Sequence, residues 1–397
     1  MNNYVEPIKI KVSKQFKNRV KNGYLWIFSN EIEHKNLTKQ ISFVEVYDHK
    51  DNFLCKGVYN PHSLISIRIL SQRREEKINK DFFYKRIKNA IERRKKYGIN
   101  IKYCRIVYGE SDFLPGVVID RYGDIFVIQF FSYAMELFKN EIFSCLIDIF
   151  NPKFIVVNND IYQRELEVAP KYKEVVYSKN KITNELITVI EHLNAKFVVD
   201  VLNGQKTGFY YDQFENRKYI SCIANDKNVL DLCCYTGSFG VICALSGCKN
   251  VIGVDSSSYA IELAKENAKI NKVKVEFVCA KIEDFIQENK TKFDLIIFDP
   301  PSYAKSDKDV NPAKKKYKFV LSQIMKLLTN NGLLAFSVCS RHISLEDIEE
   351  LILSSMLKNE QKGFIIYYGT QSEDHPIYFP MKDETEYLKF IVTEIFN

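Results

Sequence analysis

The stretch Asp231-Leu232-Cys233-Cys234-Tyr235-Thr236-Gly237-Ser238-Phe239-Gly240 carries an apolar strand, read over Val229 to Cys233, through a glycine-bearing corner into a helix. Glycine at such a corner lets the backbone approach a ligand, and the helix start behind it offers unpaired amide donors. Outward from this corner, strands are expected at Val251 to Val254, Val275 to Cys279, Phe293 to Phe298 and Leu333 to Val338. They alternate with helical patterns around Phe239 to Ser246, Ser257 to Asn271, Glu283 to Asn289 and Lys314 to Thr329. Near-continuous apolar strands separated by helices predict an α/β domain whose parallel sheet is covered on both faces. The last pair of strands, Phe364 to Tyr368 and Tyr387 to Ile395, is read with no helix between them, as an antiparallel hairpin on the sheet edge.

The corner lacks the full GxGxxG spacing, which disfavours a dinucleotide. Asp255 closes the second strand 24 residues after Asp231, where a carboxylate accepts hydrogen bonds from both ribose hydroxyls. A ribose without a pyrophosphate suits S-adenosylmethionine, with Asp231, Tyr235, Thr236, Gly237, Phe239, Asp255 and Ser256 around it. Any Rossmann-like protein can show a glycine corner and an acidic strand end, so each half of this reading is only moderately specific. The third strand runs out through Cys279-Ala280-Lys281-Ile282-Glu283-Asp284, where a polar adenine contact belongs; Lys281 and Ile282 are placed at the donor, and the residue meeting the adenine amine is left unassigned.

The apolar run Leu295-Ile296-Ile297-Phe298 stops in Asp299-Pro300-Pro301-Ser302-Tyr303. A carboxylate and two rigid prolines at a parallel strand end fix a short polar loop where open sheets bind ligands. An ordinary strand exit would look the same in isolation. Cys339, however, ends the next strand in Phe336-Ser337-Val338-Cys339-Ser340, 40 residues beyond Asp299. Neighbouring strand ends lie roughly 5 Å apart, so a thiol and the Asp299 turn can face one substrate. Cytosine carbon 5 is a poor nucleophile, and sulfur attack at carbon 6 turns it into an enamine-like centre that takes a methyl group. Arg341 is placed to lower the thiol pKa or to hold a phosphate, and Lys305 to Lys318, read as a loop, carries six lysines against two aspartates.

The first 70 residues alternate in short segments such as Phe43-Val44-Glu45-Val46-Tyr47 and read as a small β-rich module. A helix is expected from Asp81 to Lys96, stopped by Gly98. Strands at Val117 to Ile119, Ile125 to Phe131 and Phe154 to Val157, with a helix from Met135 to Phe150, predict a central β-α-β region. From Gln72 to Lys102 there are twelve Lys or Arg against four Asp or Glu, a local excess larger than the net +7 of the chain. Such a run is a solvated helix face or a phosphate-tracking surface. The 397 residues exceed one ordinary core. No apolar stretch reaches membrane-spanning length and the start Met1-Asn2-Asn3 is polar, so a cytoplasmic protein is expected. Ten cysteines without a CxxC pair argue against a disulfide framework or a metal site.

Asn203-Gly204-Gln205-Lys206-Thr207-Gly208-Phe209-Tyr210-Tyr211-Asp212-Gln213-Phe214-Glu215-Asn216-Arg217 resembles the hallmark of the large-subunit ribosomal RNA cytosine-5 methyltransferase I family. Gly109 to Gly116 resembles that family's central motif, Tyr24 to Ser29 its PUA module, and Asp374-His375-Pro376 its C-terminal signature. The resemblance spans nearly the whole chain. It implies a PUA RNA-binding domain over residues 1–72, a central α+β domain over 73–195 and a Rossmann-like class I methyltransferase domain over 196–397. It places S-adenosylmethionine near Gly237, Asp255 and Asp299, brings Phe209, Tyr211, Asp212 and Gln213 to the donor, and makes Cys339 the nucleophile. Asp299 then acts in catalysis and donor binding, while Pro300, Pro301, Ser302, Tyr303 and Arg341 meet the base and its backbone. Ribosomal RNA is the implied partner, with a homodimer as an option and no membrane contact. Two readings stay open beside it: an exocyclic-amine RNA methyltransferase working through the Asp299 turn, and an RNA-binding assembly factor without turnover.

Overall fold

The computed structural model describes residues 7–14, 16, 19–33, 38–179 and 186–397, so the Met1-Asn2-Asn3 start lies outside the described residues. The chain divides into two compact units, residues 1–188, 200–209 and 373–385 forming one and residues 189–199, 210–372 and 386–397 the other.

The first unit holds two five-stranded sheets. β1 (Ile8–Lys11), β2 (Trp26–Ile27), β3 (Ser42–Tyr47), β4 (Phe53–Tyr59) and β5 (Ile67–Ser71) lie in the order β1-β3-β4-β5-β2. After α1 (Lys80–Lys96) come β6 (Tyr103–Tyr108), β7 (Val117–Tyr122), β8 (Ile125–Phe130), α2 (Lys139–Phe150), β9 (Phe154–Asn158), α3 (Gln163–Leu166) and β10 (Lys173–Ser178), the strands in the order β10-β9-β8-β7-β6. The central region is thus more than the expected β-α-β unit. β6 was hidden because Arg105 interrupts its apolar run, and that guanidinium is buried against Asp120. β10 was hidden because it is a partly exposed edge strand without clean alternation. Asn79 caps α1, its side chain accepting from the Phe82 amide at 3.1 Å. Of the Gln72 to Lys102 run, Arg94 turns inward to Asp112, while Lys85, Lys88, Lys95 and Lys96 stay at least partly exposed.

β11 (Ile187–His192) and β12 (Ala195–Asp200) form a two-stranded sheet ahead of α4 (Phe214–Ile223). The main sheet of the second unit follows from β13 (Asn228–Leu232), α5 (Ser238–Leu245), β14 (Asn250–Asp255), α6 (Ser258–Ile270), β15 (Glu276–Cys279), α7 (Ile282–Glu288), β16 (Phe293–Phe298), α8 (Val310–Ile324), β17 (Leu328–Cys339), α9 (Leu345–Lys358), β18 (Lys362–Thr370), α10 (Lys382–Thr385) and β19 (Leu388–Phe396). Its order is β15-β14-β13-β16-β17-β19-β18, parallel except for β19, which runs antiparallel between β17 and β18. The order reverses between β13 and β16, the switch point where such sheets bind ligands beyond their carboxyl ends.

Three expectations need correction. The final two strands pair at the edge, but α10 lies between them in sequence, inside a segment that belongs to the first unit. The helix read as Lys314 to Thr329 runs Val310–Ile324, because Pro312 sits in its first turn, where a missing amide hydrogen costs nothing. The Lys305 to Lys318 segment is therefore mostly helix rather than loop.

Strand parity positions the site. Leu230, Leu232, Ile296, Phe298, Leu334, Phe336 and Val338 pack on one face with α8 and α9, while Val229, Leu295, Ile297 and Ala335 pack on the other with α4 and α5. Side chains alternate with period two, so Asp231, Asp299, Ser337 and Cys339 continue the second face. Burying a phenylalanine in such a core contributes about 3–5 kcal/mol against alanine. Phe298 and Phe336, stacked at 5.4 Å, thereby lock β16 beside β17 directly behind the site.

Candidate active site

Just past β13 the backbone takes the left-handed region three times, at Cys233 (φ 61°), Tyr235 (48°) and Gly237 (73°). Two of these residues carry a Cβ, which costs of order 1–2 kcal/mol each. Hydrogen bonds hold them there: the Cys234 amide donates to Val254 O at 3.0 Å, the Tyr235 amide to Asp255 Oδ2 at 2.9 Å, and the Gly237 amide to Cys234 O at 2.8 Å. Gly237 is required twice over, since a Cβ there would also lie 2.6 Å from the Phe277 ring. Asp255 Oδ1 accepts from the Ser257 amide at 2.9 Å, so one carboxylate orders both the corner and the start of α6.

Asp231 is fully buried and its Oδ2 accepts from the Gly240 amide at 3.0 Å, while its Oδ1 has no hydrogen-bond partner. Burial, followed by the charges of Asp299 and Asp255, pushes its carboxyl up to about 8. Three carboxylates from the ends of β13, β14 and β16 therefore feel one another at the switch point. Such a cluster suits a ligand that brings positive charge and hydrogen-bond donors. S-adenosylmethionine, with its sulfonium, its ammonium and its ribose hydroxyls, fits that donor set.

At the next strand end the Gln213 amide nitrogen donates to Asp299 Oδ2 at 3.1 Å and to Ser337 Oγ at 2.9 Å. Its oxygen accepts from Asn216 at 2.7 Å, which fixes the amide orientation. Cys339, two residues beyond Ser337 on the same face, is partly exposed. Tyr210 stands against this group, its ring edge-on to Tyr235 at 5.4 Å. Burial raises its hydroxyl well above the usual phenol range, and Tyr235, Asp212, Asp299 and Cys339 are the charges it feels.

Not every expected residue reaches this centre in the same way. Tyr211 is buried, and its carbonyl accepts from the Ser372 hydroxyl at 2.9 Å. Asp212 Oδ2 accepts from the Tyr387 hydroxyl at 2.6 Å. Phe239 turns into the core, stacked on Phe390, and Ile282 joins the opposite core face, so both pack rather than present polar atoms. The Thr236 carbonyl accepts from Asn267, and Ser256 and Lys281 are exposed. Phe209 lies in the first unit, where its amide donates to the Tyr122 hydroxyl. Pro300 is buried and Pro301 exposed, and the Ser302 hydroxyl donates to Ala304 O at 3.0 Å. The Tyr303 ring is already stacked on Tyr317 at 4.7 Å, with the Lys316 ammonium 4.2 Å from its centroid. Arg341 is exposed. Tyr317 and Tyr387 were given no site role by the sequence, and Tyr210 and Asn216 entered only as unassigned members of the hallmark segment. Only their place beside Gln213, Tyr303 or β19 marks them, and no local spacing signals that.

A family of PUA-like domains matches residues 10–72 and a methyltransferase-domain family matches residues 223–388. The chain is 32% identical over 376 residues to ribosomal RNA large subunit methyltransferase I of Tolumonas auensis, across 92% of this chain and 94% of that relative. A candidate S-adenosylmethionine-dependent methyltransferase from Streptococcus mutans shares the fold at a TM-score of 0.81 and 20% identity, over 98% of this chain and 100% of that one. A candidate methyltransferase complexed with SAH does so at 0.82 and 20%, with the same coverage. With a class I S-adenosylmethionine-dependent methyltransferase fold beside a PUA-like domain, and identity extending through both, the chain belongs to the ribosomal RNA large subunit methyltransferase I family.

Proposed function

We propose that this protein methylates carbon 5 of a cytosine in large-subunit ribosomal RNA, in the cytoplasm, through a covalent bond from Cys339. The observation that carries the reading is the Gln213 amide, which ties Asp299 at the end of β16 to Ser337, two residues before Cys339 on the same sheet face. That bridge ties the Asp299 carboxylate to β17 two residues before the Cys339 thiol, so that one flat base would meet both at adjacent strand ends. The Cys339 thiolate adds to carbon 6, and the displaced electron pair makes carbon 5 nucleophilic. The bound donor supplies a methyl group as a good electrophile. Loss of the carbon-5 proton and cleavage of the sulfur–carbon bond then restore the aromatic ring. Asp299 orients the base or takes a proton, and Pro300, Pro301, Ser302, Tyr303 and Arg341 bound the base pocket. Gly237, Asp255 and their neighbours hold the donor, and Gln213 beside them keeps Asp299 tied to Ser337. The PUA domain over residues 1–72 and the basic face of the central domain over 73–195 bind RNA, and residues 196–397 carry out the chemistry.

Incubation with donor and RNA containing 5-fluorocytosine tests this, because fluorine at carbon 5 cannot leave as a proton and the adduct persists. A denaturation-resistant complex that disappears in Cys339→Ser supports the reading. Methylation that survives in Cys339→Ser without any adduct moves the acceptor to an exocyclic amine. RNA binding with no methyl transfer leaves an assembly factor.

A further inference from the structure

Arg341 was the expected cation for the Cys339 thiol, yet a different positive charge is built into the fold behind it. Lys389 lies on β19 in register with Val338, and Leu388 with Cys339. By strand parity Lys389 points to the face opposite Cys339, so it does not touch substrate. Its ammonium instead reaches round the strand end and donates to the Ser340 carbonyl at 2.9 Å. Ser340 is buried and held from three sides. Its hydroxyl donates to Ala304 O at 2.9 Å and accepts from the His342 amide at 3.2 Å, while Ala304 O also receives the Ser302 hydroxyl. Ser340, the residue after Cys339, thus ties the Lys389 ammonium, through its carbonyl, to Ala304 O just past the Asp299–Tyr303 turn, through its hydroxyl.

The ammonium makes no ion pair among the described residues. Burial lowers its pKa, whereas Glu386, Cys339 and, on the first turn of α9, Asp347 and Glu346 raise it. Asp347 is itself paired with Lys314, which leaves the Lys389 charge less than fully compensated. Tyr210 and Tyr317, the latter on the α8 face that Lys389 shares, also feel Cys339, and burial keeps both hydroxyls uncharged at neutral pH.

We infer that Lys389 is a positioning residue for the methyl transfer: its ammonium pins Ser340, fixes the Cys339 strand end against the Asp299 turn, and stabilises the thiolate through the sheet. Cys339 ionises by losing its proton to solvent and not to Lys389. The inference rests on the carbon-5 reading of the site and is tested separately from it.

The test measures carbamidomethylation of Cys339 by iodoacetamide as a function of pH, in RNA-free protein, with peptide mass mapping to separate it from the other nine cysteines. In Lys389→Gln, which keeps a hydrogen-bond donor but no charge, alkylation at pH 7 slows about fivefold and its midpoint moves to higher pH. Lys389→Arg returns the profile toward wild type. Lys389→Met serves as a second neutral variant if the glutamine protein is poorly folded, and melting curves verify both. Coincident profiles in wild type and the neutral variants overturn the inference even where the 5-fluorocytosine adduct still forms. A shifted profile with no adduct shows that Lys389 stabilises the Cys339 thiolate but refutes the carbon-5 reading, and with it a part for Lys389 in methyl transfer.

Discussion

In the first unit, Asp112 and Asp120 are fully buried, and each is matched by arginine. Asp112 receives Arg94 and the Tyr108 amide, and Asp120 receives Arg105 through two bonds of 2.7 and 2.8 Å together with the Thr207 hydroxyl. In the second unit Asp231 is buried as deeply with one backbone donor, an unpartnered oxygen and two further carboxylates nearby. Evolved interiors pair their charges because leaving one alone costs several kcal/mol. The first arrangement holds a fold together, whereas the second, which feels the Arg217 charge, holds a proton at neutral pH and leaves one oxygen open to a ligand. Buried acid therefore separates scaffold from site in this chain, and the separation can be challenged residue by residue.

The sharpest challenge is Cys339→Ser. If the strand ends of the second unit serve chemistry, methyl transfer to RNA falls at least about a thousandfold while the melting temperature stays within a degree or two. Radiolabelled methyl transfer and calorimetry measure the two sides. The opposite outcome belongs to Asp120→Ala, which strands the Arg105 guanidinium in the interior. Unfolding in urea is expected to register a loss of about 3–5 kcal/mol. A stable Asp120→Ala protein would break the contrast from the scaffold side.

How much of this was readable beforehand follows from chain locality. The Asp231–Gly240 corner was legible because its strand, turn and helix are contiguous, and the Asp299 and Cys339 strand ends because parallel sheets collect such residues on one edge. The Gln213 bridge was accessible only as a resemblance: its partners lie 86 and 124 residues away, and nothing in a fifteen-residue motif says which carboxylate its amide will meet. Tyr387 and Lys389 were invisible for a related reason. β19 is inserted antiparallel between β17 and β18, so residues near the end of the chain stand beside a cysteine some fifty positions earlier. Tyr303 lies in the legible Asp299 turn, but its stacking on Tyr317 was not readable, because the two rings are fourteen residues apart across a loop and a helix start.

Asp231 gives a pH signature of intermediate size. Its folded carboxyl sits at about 8 against an ordinary 3.8, so the folded state binds the extra proton between those values. The stability this proton contributes is complete below about pH 4 and is lost as pH rises through 8. Donor-free protein should therefore melt progressively lower from pH 5 to pH 8, and Asp231→Asn should flatten that slope. Saturating S-adenosylmethionine should flatten it too, because a cationic ligand favours the ionised carboxylate. Parallel slopes in all three melting series would mean that Asp231 is paired like Asp120.

The smallest expected effect tests the Gln213 bridge inside the site. Gln213→Ala removes the donor shared by Asp299 and Ser337 and frees the Asn216 amide, at a cost in stability of about 1–2 kcal/mol. Activity should suffer more than that loss explains. With the base-facing carboxylate no longer held against β17, kcat is expected to drop about tenfold with little change in KM for the donor, since the Asp255 corner is untouched. Steady-state kinetics on RNA separates the two parameters. A change confined to donor KM would move Gln213 to the cofactor side and leave Asp299 and Cys339 to be aligned by the sheet alone.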